Sequence, residues 1–230
     1  MRNIVIGAGG VGSWLVPKLA RLESNVLIVD GDTLERKNLD RQLFDSQDIG
    51  QNKAKALAER YGEGARYLPE YFSSGLQLEP DEEPLSSSDL LWCCADNHTC
   101  RREVLDACDM YGAKCIIAAN EYVDFEAYYY EPAMAHSLND PRVIYPDMLT
   151  DRSGDPLGPP GCVEAARTNR QLVIANSMAS EMAMWLYWFH FHERPKMDVE
   201  LKEFWPVHHR GHSGGLRTIK WGDRLEVVTA

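Results

Sequence analysis

The residues that most restrict the fold of this chain are Gly7-Ala8-Gly9-Gly10-Val11-Gly12, because of what flanks them. Asn3 to Ile6 reads as a buried strand, and Val11, Leu15, Leu19 and Leu22 follow at helical spacing. A glycine-rich turn between a strand and a helix lets backbone N–H groups at the helix N-terminus approach a phosphate closely. Asp30 lies 18 residues past Gly12, at the end of a second strand over Asn25 to Val29. A carboxylate there accepts hydrogen bonds from ribose hydroxyls. These features put a nucleotide at the C-terminal edge of a sheet, and dinucleotide-binding dehydrogenases share them. No G-x-x-x-x-G-K-[ST] occurs, so the phosphate cradle is not a Walker loop.

The next residues separate the two nucleotide classes. Asp30 and Asp32 are followed by Asn38, Arg41 and Gln42, and then by Gly50 and Lys53. A dehydrogenase has no need of Arg41 and Lys53 so close to its ribose carboxylate. A triphosphate does, since Arg offers a planar fork and Lys a point charge for oxygens beyond the α-phosphate. A strong strand, Asp89 to Cys94, then ends in Ala95-Asp96-Asn97 at the same edge of the sheet. There Asp96 is placed to hold Mg²⁺ bridging phosphates.

Four elements now stand in order: the glycine fingerprint, D-x-D-x-[apolar]-x-x-x-N-L-x-R-Q, G-x-x-K, and a strand ending C-x-D-N-x-x-x-R that includes Arg101. On these motifs the chain resembles the E1-like activating superfamily, the group of the ThiF and MoeB proteins and the ubiquitin-activating enzymes. The similarity covers residues 1 to 120 closely and resumes at Cys162-Val163-Glu164-Ala165. The resemblance implies a cofactor site of Gly7, Gly9, Gly10, Gly12, Asp30, Asp32, Asn38, Arg41, Gln42, Lys53, Asp96 and Asn97. In it Asp30 binds ribose, Asn38, Arg41 and Lys53 the triphosphate, and Asp96 the magnesium. The implied reaction is ATP-dependent adenylation of the C-terminal glycine carboxylate of a ubiquitin-like or sulfur-carrier protein ending in Gly-Gly. Arg41, Lys53, Asp96 and Cys162 are its candidate catalytic residues. Cys162 falls where the family's crossover segment often carries a catalytic cysteine; a small buried cysteine opening a helix is the other reading. A homodimer is implied as well. The chain begins one residue before its first strand, so the N-terminal helix that in relatives supplies an arginine to a neighbouring subunit's ATP is expected to be missing. The residues leave open adenylation of a small molecule, peptide or RNA base, and a non-catalytic scaffold. An NAD-dependent oxidoreductase is disfavoured because it would leave Asn38, Arg41, Lys53 and Asp96 idle.

Composition narrows the partners. Lys plus Arg number 24 against 35 Asp plus Glu, a net charge of −11, which suits nucleic acid poorly. No apolar run approaches the ~18–20 residues of a membrane span, and no leader sequence opens the chain, so a cytoplasmic protein is expected. The cysteines include no C-x-x-C pair, so neither a disulfide framework nor a paired-cysteine zinc site is expected.

The remaining pattern predicts a single α/β domain over residues 1–230, with a nucleotide-binding half (1–120) and a second half (121–230) of crossover loop, long helix and C-terminal strands. Its first half alternates strands with helices, including a helix over Lys53 to Tyr61, a strand over Ala65 to Leu68 and a strand over Lys114 to Ala119. That alternation gives a Rossmann-like, mostly parallel sheet with helices on both faces. Phe125 to Tyr130 reads as an antiparallel addition with its tyrosines split between surface and core. Residues 133–161 read as a proline- and glycine-rich irregular segment. Gln171 to Phe191 reads as a long buried helix, Arg217 to Trp221 and Leu225 to Val228 as short strands. His208, His209 and His212 are of a type that ligates metal, but a glycine-rich polar loop explains them as well and is the reading preferred. Pro17 is expected to kink the first helix or force a local adjustment, at a cost of roughly 3 kcal/mol if unrelieved.

Overall fold

A computed structural model describes residues 1–76, 84–120, 124–151 and 173–196, together with the backbone of strands at 206–212, 215–221 and 224–226. Five strands run parallel: β1 (Arg2–Ile6), β2 (Val26–Val29), β3 (Ala65–Leu68), β4 (Asp89–Cys93) and β5 (Lys114–Asn120). Four more join them antiparallel: β6 (Asp124–Tyr130), β7 (Pro206–His212), β8 (Gly215–Trp221) and β9 (Arg224–Glu226). Their order in the sheet is β3-β2-β1-β4-β5-β6-β7-β8-β9.

The central parallel strands are mostly apolar because both faces are covered; every residue of β2 and β4 is buried, whereas the edge strand β3 is only partly so. The long helices are α1 (Gly10–Leu22), α2 (Lys53–Tyr61) and α3 (His98–Tyr111). Two very short ones follow, α4 (Pro141–Ile144) and α5 (Asp147–Thr150), and then the long α6 (Val173–Trp188). Crossovers are right-handed, so the steps β1→β2→β3 put α1 and α2 on one face, and β4→β5, which runs the other way, puts α3 on the opposite face. The chain order therefore reverses between β1 and β4, where open sheets of this kind hold their ligands. Val11, Leu15 and Leu19 seat α1 on the sheet, and α6 packs beside it against β5 and β6.

Several expectations need correction. Of the segment 133–161, expected to be irregular, residues 133–151 carry two short helices, and 152–161 lie outside the described residues. Pro141 occupies the first position of α4, with Asp140 as its N-cap accepting from Arg142 N at 2.9 Å, and Pro146 precedes α5. A proline whose missing N–H would be unpaired anyway starts a helix rather than breaking one. His208, His209 and His212 lie in β7, not a loop; pairing with β6 and β8 holds a strand whose side-chain pattern does not announce one. Tyr128, Tyr129 and Tyr130 are all buried, since the helices reach β6 and carboxylates meet the hydroxyls: Tyr128 donates to Glu126 at 2.7 Å and Tyr129 to Glu131 at 2.9 Å. The long helix stops at Trp188 and widens into a π-turn over Phe189–Glu193. The helix α1 runs from Gly10 to Leu22 with Pro17 inside it, where proline has no N–H to give the Ser13 carbonyl.

Candidate active site

The glycine turn joins the ends of β1 and β4 at the point where the chain order reverses. Gly7 has φ +92°, and a Cβ on it would stand 3.0 Å from the Ala95 N and Cys94 C atoms after β4. A Cβ on Gly12 would stand 1.9 Å from the Gly7 carbonyl oxygen. No larger residue fits at either position, so strand, turn and helix close on one another through these two glycines.

Asp30, at the end of β2, is almost wholly buried and faces that turn. Its Oδ2 accepts from Ala8 N at 2.6 Å and its Oδ1 from Asp32 N at 2.7 Å. Burial raises the Asp30 carboxyl above its ordinary range and the neighbouring Asp32 adds to this, while Lys53 and the two backbone N–H groups oppose it. Lys53 opens α2 and is only 6% exposed, a rare setting for an ammonium group. Its Nζ lies 2.7 Å from Asp32 Oδ2. Asn52 ties this helix start to β2: its Nδ2 donates to the carbonyls of Asp30 (2.7 Å) and Asp32 (3.1 Å), and its Oδ1 caps α2 at Lys55 N.

Burial alone would raise Asp32, but the hydrogen bonds from Lys53 and Tyr71 outweigh it and hold the carboxyl below its usual value. Tyr71 donates to Asp32 Oδ1 at 2.7 Å, and its phenol is pushed up to about 12, chiefly because that bond exists only while the proton stays. Its ring rests on Gly31, where a Cβ would come within 2.8 Å of it. Tyr71 was not among the residues drawn from the sequence; a lone tyrosine three residues past β3 carries no motif.

The expected site residues separate into two groups. Gly7, Gly9, Gly10, Gly12, Asp30, Asp32 and Lys53 come together around the C-terminal ends of β1 and β2. Gln42 joins them, buried, its Nε2 3.7 Å from where a Gly9 Cβ would stand. Asp96 stands one strand over, exposed just past β4, and its carboxylate makes no hydrogen bond or ion pair among the described residues. Free oxygens of a hard carboxylate near a glycine-rich helix N-terminus are of the kind that fits Mg²⁺, which commonly takes one or two protein carboxylates and keeps several waters.

Asn38, Asn97 and Arg41 are turned to local work. Asn38 Oδ1 accepts from Glu35 N at 2.9 Å, closing a short capping turn. Asn97 caps α3 through Cys100 N at 2.7 Å. Arg41 Nη1 donates to the Lys37 carbonyl and to Asp40 Oδ1, both at 2.9 Å, within its own turn. Arg101, the last residue of the fourth motif, is buried beneath the Asp96 loop. Burial opposes its charge, but the surrounding Tyr128, Cys93, Glu126 and Asp96 outweigh this and favour it. Cys93 and Cys94 are buried, as strand-end cysteines should be. Cys162 lies outside the described residues.

With this geometry in place, comparison identifies the class. The chain belongs to the ThiF family, whose pattern matches residues 1–183. Over 122 residues it is 32% identical to the adenylyltransferase and sulfurtransferase uba4 of Aspergillus clavatus, covering 51% of this chain and 25% of that protein. Over 110 residues it is 34% identical to SUMO-activating enzyme subunit 2 of Dictyostelium discoideum, covering 46% of this chain and 16% of the relative. The chain thus spans a quarter or less of these relatives' length. Among solved structures, E. coli MccB with ATP shares the fold at a TM-score of 0.62, with 15% identity, over 99% of this chain and 62% of that one. The expected mostly parallel Rossmann-like sheet with antiparallel additions is the observed one. Among the described residues no helix is long and apolar enough to cross a membrane.

Proposed function

We propose that this chain binds ATP and transfers its adenylyl group to the C-terminal carboxylate of a ubiquitin-like or sulfur-carrier protein ending in Gly-Gly. The observation that carries the reading is the nearly buried Lys53 ammonium, held beside Asp30 and Asp32 at the glycine turn. The pyrophosphate of a nicotinamide dinucleotide is met by the helix N-terminus at the glycine turn, whereas a triphosphate brings further oxygens for this ammonium to neutralise. The names of the curated relatives, one an adenylyltransferase and one a SUMO-activating subunit, support the same substrate class.

In this reading the ribose lies at Asp30, and the phosphates follow the N-terminal N–H groups of α1. Lys53 leaves Asp32 for phosphate oxygens, and Arg41 turns out of its own loop to meet the β- and γ-phosphates. Asp96 would hold Mg²⁺, which when bound supplies further neutralisation of phosphate charge. The acceptor carboxylate is already ionised, so no general base is required. One of its oxygens attacks the α-phosphorus, the bond to the bridging oxygen breaks, and pyrophosphate departs with the electron pair, leaving an acyl-adenylate. The protein's task is to fix the two reactants and disperse negative charge. A homodimer suits the exposed Ile174, Trp185 and Trp188 along α6.

The test is ATP–pyrophosphate exchange. Exchange that depends on an added carrier ending in Gly-Gly supports the reading. Exchange triggered instead by a peptide or small acid replaces the acceptor class, ATP binding without exchange leaves a scaffold, and preference for NADH overturns the nucleotide assignment.

A further inference from the structure

Asn176 sits in the first turns of α6 and is wholly buried, 0% exposed. Its Nδ2 donates at 3.0 Å to the carbonyl of Arg41, 135 residues earlier in the chain. The same carbonyl accepts from Trp14 Nε1 of α1 at 3.2 Å. With Nδ2 committed to that carbonyl and itself 3.1 Å from where a Gly10 Cβ would stand, Oδ1 is the carboxamide atom nearest the glycine turn. There it lies 2.8 Å from where a Gly10 Cβ would stand and has no hydrogen-bond partner among the described residues. Two residues on, Leu43 N donates to Ser13 Oγ of α1 at 2.9 Å. The segment that presents Arg41 is therefore held from two helices, α1 and α6.

A carboxamide here does little for the fold. The Arg41 carbonyl already has a donor in Trp14, so a second bond adds little, while a buried Oδ1 without a donor is a cost. Leucine, branched at the same atom and of similar size, would fill the space without that cost. What Asn alone provides is a second fixed tether on the Arg41 backbone.

We infer that Asn176 is a positioning residue for the triphosphate end of the site, with α6 clamping the Arg41 backbone against the glycine turn so that its guanidinium swings from a fixed origin toward the phosphates. This rests on the reading of ATP and Arg41 proposed above. It ties the second half of the chain to the nucleotide half through one side chain, and so makes the site dependent on α6.

The experiment compares the full chain with Asn176→Leu, Asn176→Ala, Arg41→Ala and the Asn176→Leu/Arg41→Ala double variant. Each is titrated calorimetrically with AMP and with a non-hydrolysable ATP analogue plus Mg²⁺, and each is melted without ligand. The expected result is that Asn176→Leu melts at or above the wild-type temperature, binds the ATP analogue about fivefold more weakly, and binds AMP unchanged. Asn176→Ala should show the same split between the two nucleotides. In the Arg41→Ala background, Asn176→Leu should add nothing. Equal losses for both nucleotides, an unchanged ATP affinity, a loss that persists on top of Arg41→Ala, or an Asn176→Leu that does not fold would each overturn the inference and leave the ATP reading standing. Wild-type protein that binds neither nucleotide overturns both.

Discussion

Replacing Asp32 by Asn separates two roles that this residue combines. Asp32 neutralises Lys53, and it would compete with phosphate for the same ammonium once ATP arrives. The Lys53 side chain is 8% exposed and that of Asp32 is 47% exposed, so the pair is neither a surface bridge nor a buried one. Exposed pairs contribute about 0–1 kcal/mol, and breaking a fully buried pair costs about 3–5 kcal/mol. The half-exposed carboxylate draws the figure toward the lower end, about 1–2 kcal/mol. The substitution keeps an oxygen for Tyr71 and a similar shape, so the lost charge is the main change. In a domain of this size it should lower the melting temperature by about 3–6 °C.

The effect on ligand should have the opposite sign. A Lys53 with no competing carboxylate no longer has to exchange partners, and recovering about 1 kcal/mol of that competition tightens ATP binding about fivefold. Calorimetric titration with a non-hydrolysable analogue, beside a thermal melt of the same preparation, measures both. An Asp32→Asn protein that melts like wild type and binds the analogue more weakly would refute this reasoning, because Asp32 would then be contacting the ligand rather than restraining Lys53.

The same pair has a pH signature. Asp32 is held below 3.8 in the folded chain, so its contribution is complete above that value and disappears as pH falls through the lower folded value. The difference in melting temperature between wild type and Asp32→Asn should persist at pH 5 and close only as pH falls below 3.8; a difference that grows on acidification contradicts the assignment. Asp96→Ala should nearly keep the wild-type melting transition, since its carboxylate makes no hydrogen bond or ion pair among the described residues and is the smallest of the influences acting on Arg101, yet lose ATP–pyrophosphate exchange; retained exchange counts against a metal-bearing role. Gly12→Ala places a methyl 1.9 Å from the Gly7 carbonyl and should destabilise the domain by more than about 3 kcal/mol, read as loss of the folded baseline in urea; a small effect would mean that the turn is looser than its geometry.

Much of this architecture is legible because the parallel half is built from local signals. Lys53–Tyr61 and Ala65–Leu68 fall where periodicity and composition put them, and the glycine turn sits between β1 and α1 as its spacing requires. The antiparallel half is less readable. β7 carries histidines, arginine and glycine and is a strand because β6 and β8 flank it, which no local pattern encodes. Tyr71 and Asn176 were missed for the same reason: each acts on a residue far away in the chain. Asn176 did leave a trace, as a polar residue on the buried side of an otherwise apolar helix, but that trace gives no partner.

A sequence motif also mixes residues that meet ligand with residues that shape the backbone presenting it. Asn38 and Asn97 stand in the same motifs as Arg41 and Asp96, yet their side-chain oxygens close a turn and cap a helix. Each cap lies near an exposed or partly exposed charged side chain, Arg41 three residues after Asn38 and Asp96 immediately before Asn97. A cap fixes the backbone from which its neighbour's side chain departs, so its loss would spread that neighbour over more directions and weaken ligand through geometry rather than through a lost contact. The distinction is measurable: replacing either cap with Asp or Ser, which can accept the same backbone N–H, should restore most of the binding that Ala removes, whereas no such exchange should rescue Asp96 or Lys53.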